Sequence, residues 1–122
     1  MTLHLLPLEF TVCQIADTRE TDMAAPFTFL SRTDDEISLV CPVSDCPANA
    51  LKRDDGWVGL KIAGPLDFSL IGILSQIAGC LAREKIPIFA LSTFNTDYVL
   101  FKKEHKDKAL QALAAAGHEI LL

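Results

Sequence analysis

Basic charge is scarce in this chain: 11 Lys and Arg stand against 16 Asp and Glu, for a net charge of −5. Affinity for nucleic acid begins with phosphate neutralisation, so this balance argues against a nucleic-acid partner. Anionic membrane surfaces are disfavoured for the same reason. Long apolar runs are missing too. None reaches the roughly 18 residues of a membrane helix, and the opening MTLHLLPLEF is broken by Pro7 and Glu9 without a basic leader. A cytoplasmic location is the expectation. Histidines number three, His4, His105 and His118, and none has a cysteine or carboxylate at catalytic spacing. No nucleophile elbow, phosphate loop, dinucleotide fingerprint or zinc-protease motif occurs, so neither an enzyme nor a cofactor is expected. The four cysteines, Cys13, Cys41, Cys46 and Cys80, are not expected to form a disulfide framework in a chain with this much core material. Cys41 and Cys46 (CPVSDC) lie at the edge of zinc-knuckle spacing, but no second ligand pair follows, so structural thiols and no metal are expected.

Apolar residues are plentiful. They make up 50% of 122 residues, with 22% charged, and the mean hydropathy is +0.29. The length fits one domain or two small packed units. Surplus apolar surface in a small soluble chain usually ends in an interface, so a homodimer is expected.

Leu8–Ile15 alternates and reads as a strand. Phe27–Ser31 and Ile37–Cys41 flank the turn-rich Arg32–Glu36, a hairpin signal. Pro42–Gly56 reads as a connector with a short helix near Asn49–Arg53, and Trp57–Ala63 as a strand. The strongest helix spans Ile71–Glu84: Leu70, Leu74, Ile77 and Leu81 share one face, and Pro87 forbids continuation. Ile88–Leu91 and Tyr98–Phe101 form a second hairpin. Glu104–Ala116 is a helix closed by Gly117, and His118–Leu122 a last strand. Residues 57–122 therefore read β-α-β-β-α-β, the α+β ferredoxin-like order.

FLSRTDDEISLV (29–40) resembles ALSTFNTDYVLF (90–101). Leu30-Ser31 falls on Leu91-Ser92 and Glu36 on Asp97. The chain is thus expected to be a tandem duplication, with a degenerate unit at 1–56 and a complete one at 57–122.

Gly72, Leu74, Ile77, Leu81, Ile86 and Ile88 stand in GILSQIAGCLAREKIPI at the spacing of the ACT domain, the small-molecule-sensing module of amino-acid metabolism. Ala112-Leu113 with Gly117-His118 resembles that family's second helix and last strand. Leu91–Asp97 (LSTFNTD) is similar to a segment of the cytosolic arginine sensors of animals, which are related to the regulatory half of aspartate kinases. The resemblance implies a ligand-binding set of Leu70, Ile71, Gly72, Ile73, Phe94, Thr96 and Asp97. Amides at the first helix's N-terminus suit a ligand carboxylate, and the Asp97 carboxylate suits its ammonium. Ser92, Phe94 and Thr96 are positioned to shape the pocket. The arginine sensors carry an acid and a cysteine where Leu70 and Ile71 stand, and an aromatic where Thr96 stands. A less polar amino acid therefore fits at least as well as arginine.

Plainer readings stand beside these. Gly72 can serve helix packing, Asp97 an ordinary turn, and Asp34-Asp35-Glu36 a solvated hairpin tip. The expected function is an amino-acid-binding regulatory or sensor protein, with its ligand at an interface between ACT units and its output passed to a regulated partner. The alternative is an ACT-like dimerisation or interaction module with no small-molecule ligand.

Overall fold

The computed structural model describes residues 1–63 and 72–122. Within these, the elements run β1 (Thr2–Ile15), β2 (Phe29–Arg32), β3 (Ile37–Pro42), β4 (Ala50–Ile62), α1 (Ile73–Arg83), β5 (Phe89–Ser92), β6 (Asp97–Lys102), α2 (Lys106–Ala115) and β7 (Glu119–Leu121). Single 3-10 turns, Val43–Asp45 and Lys103–His105, follow β3 and β6. The protein is α+β with mostly antiparallel strand pairs. The element order β-α-β-β-α-β, read from the sequence, is the one observed from β4 to β7.

By its internal contacts the chain divides into Met1–Pro7 with Val58–Leu122, and Leu8–Trp57. Trp57 groups with the residues before it, and Met1–Pro7 with the C-terminal residues. The reason is that β1 starts at Thr2 rather than Leu8, and its first residues pair in parallel with β7 (Thr2 with Glu119, Leu3 with Ile120).

In the unit containing both helices, the strand order is β7-β1-β4-β6-β5. Ala63 N donates to Thr2 O at 2.8 Å. The core joins Leu3, Leu60, Ile62, Val99 and Phe101 of the strands to Ile77 and Leu81 of α1 and Ala109 and Leu113 of α2. Ile77 and Leu81 are on the face that the sequence periodicity selects, and both are buried. Each helix ends on a paired-carbonyl cap. Lys85 N reaches Ala82 O and Ile86 N reaches Leu81 O; Gly117 N reaches Ala114 O and His118 N reaches Leu113 O. Gly117 takes the left-handed conformation that this cap needs (φ +98°), as read from the sequence. Lys85 takes it at the other helix (φ +60°) without glycine's freedom.

In the other unit, β2 pairs with β3 and β3 with the second half of β1, all antiparallel. The strand order is β2-β3-β1-β4. Thr11, fully buried, donates its hydroxyl to Asp54 O at 3.3 Å. Cys13, Ile15, Leu39 and Cys41 form a small core against which Leu30, Ile37, Cys46 and Ala50 pack. All four cysteines are free thiols. No helix spans residues 16–28. Phe27 holds a positive φ of 60°, and its ring meets Phe10 edge-on at 6.2 Å. Asn49 Nδ2 bridges to Asp17. The sequence places a connector and a short helix where β4 begins. Ala50–Asp55 instead form a strand whose side chains are mostly exposed, so pairing rather than apolar alternation defines it.

Candidate functional site

The hairpin β5–β6 is built around Thr93. Its backbone N–H donates to Thr96 O at 2.8 Å, and its hydroxyl both donates to Thr96 O and accepts from Thr96 N. These bonds close the turn in the manner of a hydroxyl-capped loop. Thr96 is 4% exposed, and its own hydroxyl donates to the carbonyl of Ile62 at 2.6 Å. The turn is thereby fastened to the last residue of β4, the point from which the chain leaves for α1. Asp97 opens β6, half-buried, and its Oδ1 accepts a hydrogen bond from Ser92 Oγ at 2.6 Å. Phe94 sits at the tip with 82% of its surface exposed.

At the start of α1, Gly72 is the N-cap residue in the left-handed conformation, with φ +80° and ψ +4°. Its carbonyl accepts the first helical bond, from Gln76 N at 2.8 Å. A Cβ at position 72 would meet nothing within 4 Å, so the backbone conformation requires glycine here, not close packing. No side chain caps this end. The amides of Ile73 and the next two residues point out of the helix without intrahelical partners, at the positive end of its dipole.

Of the residues expected at the site, Gly72, Ile73, Phe94, Thr96 and Asp97 are described, while Leu70 and Ile71 lie outside the described residues. The hairpin brings Ser92, Phe94, Thr96 and Asp97 together. The Thr96 hydroxyl is committed to the Ile62 carbonyl. Sequence reasoning passed over Thr93, whose hydroxyl organises the turn. Thr33 stands in the equivalent place in the first hairpin, where its hydroxyl accepts from Asp35 N and Glu36 N, but the letter-matched register sets Thr33 on Phe94 and hides the likeness. Asp34, Asp35 and Glu36 are exposed at that tip, which favours the solvated reading.

Among the described residues no group of three or more His, Cys, Asp or Glu is arranged to hold a metal ion. Among the same residues no helix is long and apolar enough to cross a membrane.

A family model described as the ACT domain matches residues 52–115. The cytosolic arginine sensor for mTORC1 subunit 1 of Homo sapiens is 38% identical over 58 residues, 47% of this chain. The chain spans about a fifth of the length of that curated relative (18%). Among solved structures, protein Atu0741 from Agrobacterium tumefaciens superposes with a TM-score of 0.87 at 32% identity, covering 99% of this chain and 92% of that one. Aspartokinase alpha and beta subunits share the fold at a TM-score of 0.64 and 16% identity, covering 95% of this chain and 97% of that one.

Proposed function

The chain belongs to the ACT domain family, and from that premise we propose that it is a non-catalytic regulatory module whose signal is a free amino acid. The α-carboxylate is received by the open amides at the start of α1, and the α-ammonium by Asp97. The observation that supports this reading most is the Thr96–Ile62 hydrogen bond. It ties the Asp97 hairpin to the end of β4 from which the chain runs on to Gly72. In this reading the module works as a cytoplasmic homodimer, and ligand binding changes its association or a partner's activity through differential affinity for two states.

A tandem origin fits the same reading. The unit Leu8–Trp57 has strand order β2-β3-β1-β4, and the other unit has the corresponding order β5, β6, β4 and β7, with β1 inserted before β7. We read both as ferredoxin-like. The first has a loop at 16–28 and a 3-10 turn at Val43–Asp45 where the second has α1 and α2.

The test is a thermal-shift screen against the twenty amino acids at millimolar concentration. A ligand that binds only the native state adds about 2.7 kcal/mol at a hundredfold excess over Kd. One amino acid should raise the midpoint, and Asp97→Ala should lose that response while keeping the unliganded midpoint. A flat response from the wild-type protein to all twenty overturns the sensor reading. It would favour an interaction module without a ligand, a reading that the exposed Phe94 and the Ser92 bond already on Asp97 also support.

A further inference from the structure

A concavity lies in the helical unit, and no residue of the Ser92–Asp97 turn lines it. It has a volume of about 480 Å³ and is lined by Ser75, Gln76, Gly79 and Arg83 of α1 and by Gly117 and His118 beyond α2. That volume falls in the range of small-molecule sites.

Three observations converge on this cleft. Gly79 sits in the middle of α1, where glycine weakens a helix relative to alanine. Its φ is not positive, and a Cβ there would meet only the Arg83 Nη1 at 3.7 Å, an ordinary contact. Neither backbone conformation nor packing demands a glycine. What its missing side chain does is leave the cleft floor open. Arg83 lies over that floor, its guanidinium one helical turn back along α1, and among the described residues it makes no ion pair. His118 also lines the cleft. Its Nδ1 is shielded from solvent and has no hydrogen-bond partner, the kind of unmet group that calls for an explanation such as a bound water or ion. At the adjoining helix ends the caps take up the carbonyls of Leu81 and Ala82 and of Ala112, Leu113 and Ala114. Arg83 and the amino terminus at Met1, which lines the same cleft, carry its positive charge, and the planar Arg83 fork matches an oxyanion in two-point contact.

We propose that this cleft is a binding site for a small organic anion, its carboxylate held by Arg83 over Gly79 with Ser75, Gln76 and His118 as further polar partners. The site uses neither Asp97 nor its hairpin, and it meets the amino-acid site of the preceding reading only at Ser75, in the first turn of α1.

The experiment is a titration of the full chain, followed by amide and guanidinium NMR shifts, with citrate, malate, acetate and inorganic phosphate in turn. The expected result is saturable shifts at Gly79, Arg83 Nε and Gly117 with a carboxylate probe. Arg83→Gln should weaken binding about tenfold or more, and Gly79→Val, which fills the floor, should abolish it. Asp97→Ala should bind the probe as the wild type does, which separates failure here from failure at the hairpin. A response to phosphate equal to that of the carboxylates overturns the carboxylate assignment. No saturable shift with any probe, or shifts unchanged in folded Gly79→Val and Arg83→Gln, overturns the site.

Discussion

Thr96→Val isolates the hydrogen bond on which the candidate site's placement rests. Valine nearly preserves the threonine shape and exchanges the hydroxyl for a methyl. Thr96 is 4% exposed and its acceptor residue, Ile62, 0%. Losing a 2.6 Å bond there leaves the Ile62 carbonyl without that donor in a dry environment. A stranded buried acceptor costs about 2–3 kcal/mol. The added buried methyl returns about 0.8 kcal/mol. The net expectation is a loss of about 1.2–2.2 kcal/mol, which is a fall of about 4–8 °C in Tm for a domain of this size. Thr96→Ser does the opposite: it keeps the hydroxyl and removes a methyl, for a loss of about 0.8 kcal/mol. Urea unfolding of the three proteins ranks them. Amide exchange at Thr96 and Asp97 adds local resolution, because loosening the turn from β4 should accelerate exchange there in the valine variant and not in the serine variant. If Thr96→Val matches the wild type in stability while Thr96→Ser is the weaker protein, the hydroxyl carries no weight. The turn would then owe its position to packing alone.

Lys85→Gly should stabilise the protein by about 0.5–1 kcal/mol, since the left-handed conformation costs a side-chain-bearing residue about 1–2 kcal/mol and glycine gives back about 0.5–1 kcal/mol in chain entropy. Gly117→Ala, at the matching cap position, should destabilise by about 1 kcal/mol; a destabilised Lys85→Gly in urea unfolding would contradict the cap assignment. The thiols predict a loss of stability in alkali. Burial, then the neighbouring Cys46 and Cys41, push the Cys13 thiol up to about 12, and burial followed by Cys46 and Asp45 pushes Cys41 up to about 11. In the unfolded chain a thiol ionises near about 8.5. Below that pH both states hold the proton and the contribution is intact. As pH rises past it the unfolded chain ionises first, and stability falls continuously through 11 toward 12. Urea midpoints from pH 8 to 11 should fall more gently in Cys13→Ala than in the wild type; an equally steep fall would remove Cys13 as a source.

The elements legible in the sequence were those with apolar periodicity. Ile77 and Leu81 on α1 and Leu113 on α2 are buried where the pattern puts them, and both hairpins stand at their turn signals. Two half-strands were not legible, for different reasons. The first half of β4 carries Lys52, Arg53, Asp54 and Asp55, all exposed. A strand with little to bury has no alternation to detect, and its existence depends on the neighbour it pairs with. The first half of β1 contains Pro7, which ordinarily argues against a strand interior. Along one edge, β1 pairs with β7 at Thr2–His4 and with β3 at Phe10–Ile15. Pro7 falls between those two registers, where a missing N–H leaves neither ladder broken. Motif spacing put Gly72 at the start of a helix and Asp97 at the start of a strand, where the fold has them. The Thr96–Ile62 bond spans 34 residues, and no local pattern signals such a contact.

The two hairpins also correct the register in which the sequence aligns them. Residue identity pairs Leu30-Ser31 with Leu91-Ser92, a shift of 61, which sets Glu36 on Asp97 and suggests an acid at the same place in each unit. Geometry gives a shift of 60. Arg32 faces Ile37 across the first hairpin as Ser92 faces Asp97 across the second. Thr33 N donates to Glu36 O as Thr93 N donates to Thr96 O. The 3-10 turns that follow, Val43–Asp45 and Lys103–His105, keep the same shift. Asp97 therefore corresponds to Ile37, and Glu36 to the buried, hydroxyl-bonded Thr96. The first hairpin has no carboxylate where the second has Asp97, and no hydroxyl where the second has the Thr96 link. Identity at three residues (Leu30, Ser31 and Leu39 on Leu91, Ser92 and Leu100) outweighed the hydrogen-bond frame in the alignment because leucine and serine are common and turn bonds are invisible to letters. The frame is what fixes which side chains are equivalent, and it leaves the Asp97 chemistry peculiar to one hairpin of the chain.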